Sequence, residues 1–205
     1  LVDTGFGTDD LAHRTRLGRP FLTTVRPTLD PAETAIAQVR ALGHDPADVT
    51  DIVLTHLDLD HAGGIADFPQ ARIHVHASEY AAVQHPPLRE RARYVTAQWA
   101  HGPTWEKHDE AGDEWFGFSA VKALSDDVLL LPLPGHTRGH AGIAVRREDG
   151  HWLLHAGDAF FHHGQMHEPP TCPALLKGFQ RMMAVDNRAR VDNLHRLQEL
   201  ARSHP

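Results

Sequence analysis

The segment Thr55-His56-Leu57-Asp58-Leu59-Asp60-His61-Ala62-Gly63-Gly64 gathers four side chains able to ligate a metal, at positions 56, 58, 60 and 61. Imidazole suits zinc, and carboxylate oxygen suits zinc as well as harder ions such as Mn or Fe. In an extended chain His56 and Asp58 leave the backbone on one side while Leu57 and Leu59 point into a core. A turn at Asp60-His61 then sends the next pair across a shared cavity, and Gly63-Gly64 removes bulk where backbone passes close to that cavity. A blander alternative is a charged turn with Asp60 as the N-cap of a helix. A calcium loop fails. Asp58, Asp60 and Gly63 fit its first, third and sixth positions, but Pro69 stands where the twelfth needs a bidentate Glu.

Two later segments have the same character. Pro134-Gly135-His136-Thr137-Arg138-Gly139-His140 is a tight loop after the apolar run Val128–Leu133, and His155-Ala156-Gly157-Asp158-Ala159 follows Trp152-Leu153-Leu154. Each exposes an imidazole or carboxylate at a strand end. The elements needed to hold them are legible from periodicity. Ile52-Val53-Leu54 reads as a buried strand ending at Thr55, and Ile73 and Val75, alternating with His74 and His76, read as another. Further strands fall at Val128–Leu131, Ala141–Val145 and Trp152–Leu154, the last two joined by a hairpin at Glu148-Asp149-Gly150. Asp30-Pro31-Ala32-Glu33 signals a helix start, with Ile36, Val39 and Leu42 as its stripe and Gly43 as its stop. Ser78 caps a short helix closed by Pro86-Pro87, Arg89 to Trp99 reads as helical, and two helices occupy Pro173–Val185 and Asp186–Arg202. The pattern is one α/β domain over 1–205, with an aromatic, turn-rich subsegment at about 86–120.

Composition narrows the function. The 205 residues carry a net charge of −7 with no basic cluster, which disfavours nucleic acid and anionic membrane as partners. No apolar run approaches the roughly 20 residues of a membrane span. The single cysteine, Cys172, cannot form an internal disulfide, consistent with a cytoplasmic protein. Eighteen histidines are the compositional outlier. The partner expected is a small-molecule substrate, and a homodimer is a further expectation. The opening Leu1-Val2-Asp3-Thr4-Gly5 and the close at Ser203-His204-Pro205 read as cut ends of something longer.

Taken in order, these loops resemble the metallo-β-lactamase superfamily: Thr-His-x-His-x-Asp-His, then Gly-His-Thr-x-Gly-His, then Gly-Asp after a strand. The form of the second loop, and Asp60-His61, resemble the lactonase, glyoxalase II and related ester or thioester hydrolase branches. The resemblance implies a four-layer αβ/βα sandwich with two metal ions at one edge, zinc first among them. It places His56 and His136 on the first metal, Asp60 and His61 on the second, and Asp158 between them. Asp58 stands where the family has a His. A harder, negatively charged ligand there raises the standing of Fe or Mn. The family's last His ligand follows one more strand, which this chain lacks, so the second ion is expected to bind weakly. His204 sits too early to replace that ligand.

The implied chemistry is hydrolysis of a small carbonyl ester, lactone or thioester by a metal-bridging hydroxide, with Asp60 accepting and passing on a proton. Asp3, Thr137 and His140 are expected to orient ligands. Trp99, Trp105, Trp115, Phe116, His162 and His163 are candidate pocket residues. Two alternatives stand beside this reading: a phosphodiesterase of the same fold, and a degenerate, metal-poor binding protein.

Overall fold

The computed structural model describes residues 1–109 and 112–204. Positions 110 and 111, inside the 86–120 subsegment, and the terminal Pro205 lie outside the described residues. The chain folds as two compact units, one of residues 1–75 with 80–107, the other of 76–79 with the residues from 108 onward.

In the first unit, helices α1 (Thr8–Ala12), α2 (Arg19–Thr24) and α3 (Ala35–Ala41) precede strand β1 (Asp51–Val53). β1 runs parallel to β2 (Arg72–His76), with Val53 opposite His74, and β3 (Thr104–His108) completes a sheet of order β1-β2-β3. The helix expected from Asp30 divides in two. Asp30 does act as a cap, accepting from Ala32 N–H, but of a short 3-10 turn at Pro31–Glu33. Thr34 then caps α3 by accepting from Ala37 N–H. Helix α4 (Ala77–Gln84) begins one residue before Ser78. Between Arg89 and Trp99 the structure has turns and a single 3-10 turn at Thr96–Trp99, not a helix. Burial explains the difference, since Glu90, Arg93, Tyr94 and Gln98 are all drawn into the interior and their tertiary contacts override helical spacing. The core of this unit is Val39, Ile52, Leu54, Leu57, Ile65, Phe68, Ile73 and Val75.

In the second unit, β4 (Glu114–Trp115) and β5 (Phe118–Ser119) form a small hairpin. An antiparallel meander follows: β6 (Val121–Ser125), β7 (Val128–Pro132), β8 (Ala141–Arg146) and β9 (Trp152–His155). The hairpin between β8 and β9 forms at Glu148-Asp149-Gly150, where Gly150 supplies the positive φ (+84°) that the turn needs. Helices α5 (Ala174–Met183) and α6 (Asn187–Ser203) come last, α6 capped by Asp186 accepting from Arg188 and Ala189 N–H. Trp115, Phe118, Leu129, Leu131, Leu133 and Leu197 pack as the core of this unit.

Candidate metal centre

The first cluster begins where β1 ends. Asp3 lies beside it with φ +51°, a left-handed backbone that a non-glycine residue adopts at a cost. That conformation aims its carboxylate at three groups. Oδ1 accepts from Thr55 N–H (2.8 Å), while Oδ2 accepts from the Thr55 hydroxyl (2.8 Å) and meets His61 Nδ1 at 2.9 Å. Burial alone would raise the Asp3 pKa. The His61 hydrogen bond, the neighbouring His61 and His56 charges and the Thr55 amide more than offset it and hold the carboxyl below its ordinary value. An ionised Asp3 fixes two tautomers. His61 must donate from Nδ1. Thr55, its one hydroxyl proton given to Asp3, must accept from His56 Nδ1 at 2.9 Å. In the neutral rings the lone pair then lies on Nε2, with His61 backed by a carboxylate and His56 by a hydroxyl, the arrangement of a metal-ligating imidazole. The two rings stand 4.0 Å apart, centroid to centroid.

His56 and Asp58 do share a side of the chain, with Nε2 and Oδ2 3.5 Å apart. Two donors bound about 2.0–2.1 Å from one tetrahedral cation lie about 3.3 Å apart, so this pair fits a common ion. Asp58 also has a partner that sequence reading missed. Arg93 grips it in a fork, Nε to Oδ1 at 2.8 Å and Nη2 to Oδ2 at 2.5 Å. Both residues are buried. The extra negative charge expected from Asp58 is therefore offset by a guanidinium that stays protonated, which corrects the charge part of the argument for Fe or Mn.

Backbone contacts hold the loop in place. Leu57 and Leu59 are 0% and 3% exposed, each worth about 1.5–3 kcal/mol of burial. Thr4 donates from both N–H and hydroxyl to the His61 carbonyl, each at 2.9 Å. Gln98 Nε2 bridges the Leu59 carbonyl (2.8 Å) and Asp10 Oδ2 (2.9 Å). Gly63-Gly64 does mark a close backbone approach, but against the N-terminal segment. A Cβ on Gly63 would stand 2.6 Å from the Gly5 carbonyl oxygen, and one on Gly64 2.9 Å from that of Thr4. Asp60 sits half-buried on the turn between these anchors.

The second cluster occupies two strand-end loops of the other unit. Gly135 (φ +140°) and Gly139 are packed so closely that a Cβ would meet Arg190 N at 2.3 Å and Glu79 N at 2.1 Å, respectively. Buried Glu79 accepts from Gly139 N–H at 2.9 Å, a contact 60 residues distant in sequence. The His136 carbonyl accepts from Val185 N–H, and Asn193 Nδ2 donates to the Pro134 carbonyl. His136 Nε2 and Asp158 Oδ2 are 3.2 Å apart, again the separation of two donors on one ion. His140 joins the two loops. Its Nδ1 meets the Leu133 carbonyl and so carries the proton, while Nε2 accepts from Asp158 N–H, both at 2.9 Å. The Thr137 hydroxyl is buried with no hydrogen-bond partner among the described residues.

The candidate pocket residues part company. Trp99 and Trp105 pack edge to face (6.2 Å) against the core of the first unit. Trp115 and Phe116, with Trp152, Leu154, Phe160 and His204, line a cavity of about 500 Å³ in the second unit; His136 and Asp158 are absent from its lining. His162 and His163 stack at 4.6 Å, and His162 Nδ1 accepts from Gly164 N–H. Arg93, Glu79 and Gln98 carry no local sequence signal. Only their burial with charged or polar partners reveals them.

Residues 1–200 match the metallo-beta-lactamase superfamily, and the chain belongs to it. A Mycobacterium tuberculosis protein named probable metallo-hydrolase is 46% identical over 209 aligned residues, all of this chain and 66% of that protein. The N-acyl homoserine lactonase AttM of Agrobacterium fabrum is 33% identical over 136 residues, 66% of this chain and 50% of its own length. The chain thus spans between half and two thirds of these relatives. Among solved structures, an N-acyl homoserine lactone hydrolase with N-hexanoyl-L-homoserine at its catalytic metal centre superposes with TM-score 0.71 at 20% identity, covering 98% of this chain and 71% of that one. The fold is accordingly the α/β metallo-β-lactamase sandwich.

Proposed function

We propose that this chain is the metal-binding part of a hydrolase that cleaves a small carbonyl ester, lactone or thioester, with lactones first. The observation that carries the reading is the pairing of donor atoms within each cluster, His56 Nε2 with Asp58 Oδ2 at 3.5 Å and His136 Nε2 with Asp158 Oδ2 at 3.2 Å. The names of the relatives support the reaction class, and AttM supports lactones in particular. His56, Asp58, Asp60 and His61 of the first cluster, and His136 and Asp158 of the second, would hold the divalent ions. Zinc accepts both donor types of this set, three imidazoles and three carboxylates. When bound, such ions supply a hydroxide at neutral pH and polarise a carbonyl.

The chain's own residues do the rest. Asp3 and Thr55 set the tautomers of His61 and His56, His140 fixes the Asp158 backbone, and Asp60 takes up the proton released on attack. A net charge of −7 disfavours a long nucleic acid as substrate and leaves small esters, phosphate esters among them, open. The single cysteine favours a cytoplasmic setting. The test is turnover of an N-acyl homoserine lactone and of p-nitrophenyl acetate by zinc-loaded protein. Activity that is abolished by chelation supports the proposal. Activity on bis-p-nitrophenyl phosphate alone would replace it with a phosphodiesterase, and well-folded protein that takes up no metal would refute it.

A further inference from the structure

The ion pair between Asp58 and Arg93 goes beyond the reading above, although it rests on that reading for the ion it addresses. A histidine ligand is neutral and gives one nitrogen lone pair. Asp58 alone would give a full negative charge and two oxygens able to chelate. Arg93 alters both properties. Its fork takes one lone pair from each oxygen, Nε on Oδ1 at 2.8 Å and Nη2 on Oδ2 at 2.5 Å. The carboxylate is then disfavoured from clasping an ion with both oxygens, and Oδ2 is the one facing His56 Nε2 at 3.5 Å. The guanidinium cancels the charge within a buried site, where solvent does not screen it. We infer that Arg93 is a positioning residue that converts Asp58 into a neutral, one-toothed ligand, a functional substitute for histidine.

The alternative is a purely structural role, with the side chain of Arg93 merely anchoring the loop. Part of that anchoring is independent of the side chain, because Leu59 N–H donates to the Arg93 carbonyl at 3.0 Å. It therefore survives substitution.

Four proteins separate the possibilities: wild type, Arg93→Met, Asp58→His, and the double variant. Each is titrated with Zn(II) against a chromophoric chelator, counted for retained metal by elemental analysis, and loaded with Co(II) for its visible absorption spectrum. Arg93→Met leaves an uncompensated carboxylate with both oxygens free to clasp the ion, so its Zn(II) affinity should move about tenfold or more from wild type and its Co(II) bands should shift. The double variant should recover affinity to within a few-fold of wild type, since a neutral imidazole needs no counter-charge. Wild-type affinity and spectrum in Arg93→Met overturn the inference, as does a double variant no nearer to wild type than Arg93→Met. If Arg93→Met does not fold, Arg93→Lys keeps the charge and loses the fork, and its unchanged Co(II) spectrum would equally overturn the inference. Wild-type protein that retains no metal fails earlier, at the proposed function, and removes this inference with it.

Discussion

Asp3 is half-buried and Asp58 buried, and their neighbours give them different work. Asp3 accepts from imidazole and hydroxyl and sets which nitrogen of His61 carries the proton. Asp3→Ala is therefore expected to lower metal affinity about 10–100-fold, read by chelator competition. Asp58 is bound to a cation that cannot give up its proton, so removing either partner takes away the forked counter-charge of a buried ion. Asp58→Ala should cost about 3–5 kcal/mol in urea unfolding. The pair Asp58→Ala with Arg93→Met should recover much of that loss, because no charge is then left unpaired. Asp58 could be picked out as a candidate ligand because its neighbours in sequence are candidate ligands too. Arg93 could not, since 35 residues separate it from Asp58 and an isolated Arg in polar text carries no pattern.

At the scale of elements, the candidate ligand positions follow strand ends, and strand ends are what alternation and turn residues make visible. β1, β2, β7, β8 and β9 lie within a residue or two of where those patterns put them. The Arg89–Trp99 segment was misleading for the opposite reason. Its residues are placed by contacts with distant groups, such as Gln98 with Asp10 and Leu59, and not by local periodicity. Gly139 shows how tightly the second cluster is set. A methyl group there would meet Glu79 backbone, so Gly139→Ala should destabilise by about 1–3 kcal/mol, visible as a lower urea midpoint.

The tie between β1 and β2 is electrostatic as well as hydrogen-bonded. Burial alone would raise the Asp51 pKa, but hydrogen bonds from His74 and Thr50 and the Arg72 charge bring it below its ordinary value. A depressed carboxyl stabilises the fold above its unfolded pKa of about 3.9 and loses that contribution as pH falls through the folded value. Asp51→Asn should thus cost about 1 kcal/mol at pH 7, and the gap from wild type should close as urea midpoints are followed from pH 5 down to pH 2.

For the whole molecule, an ion that binds only the folded state adds stability by mass action. At a concentration 100 times its Kd the gain is about 2.7 kcal/mol. For a chain of this size that is a rise of roughly 5–11 °C in Tm, measurable by calorimetry with and without chelator. An unchanged Tm would contradict the metal reading.

The first seven residues bear on this in another way. Leu1 and Asp3 exchange backbone bonds with Val53, Thr4 closes over the His61 carbonyl, and the Gly5 carbonyl accepts from Gly64 N–H. The segment is strapped along the ligand loop without being part of it. Under the proposed metal reading, the residence time of an ion on His61 would be coupled to fraying of that strap: each time it lifted, Asp3 would leave and the imidazole would be released from its fixed tautomer. Slow escape of metal and slow hydrogen exchange at the Thr4 and Gly64 amides become two readings of one local opening event.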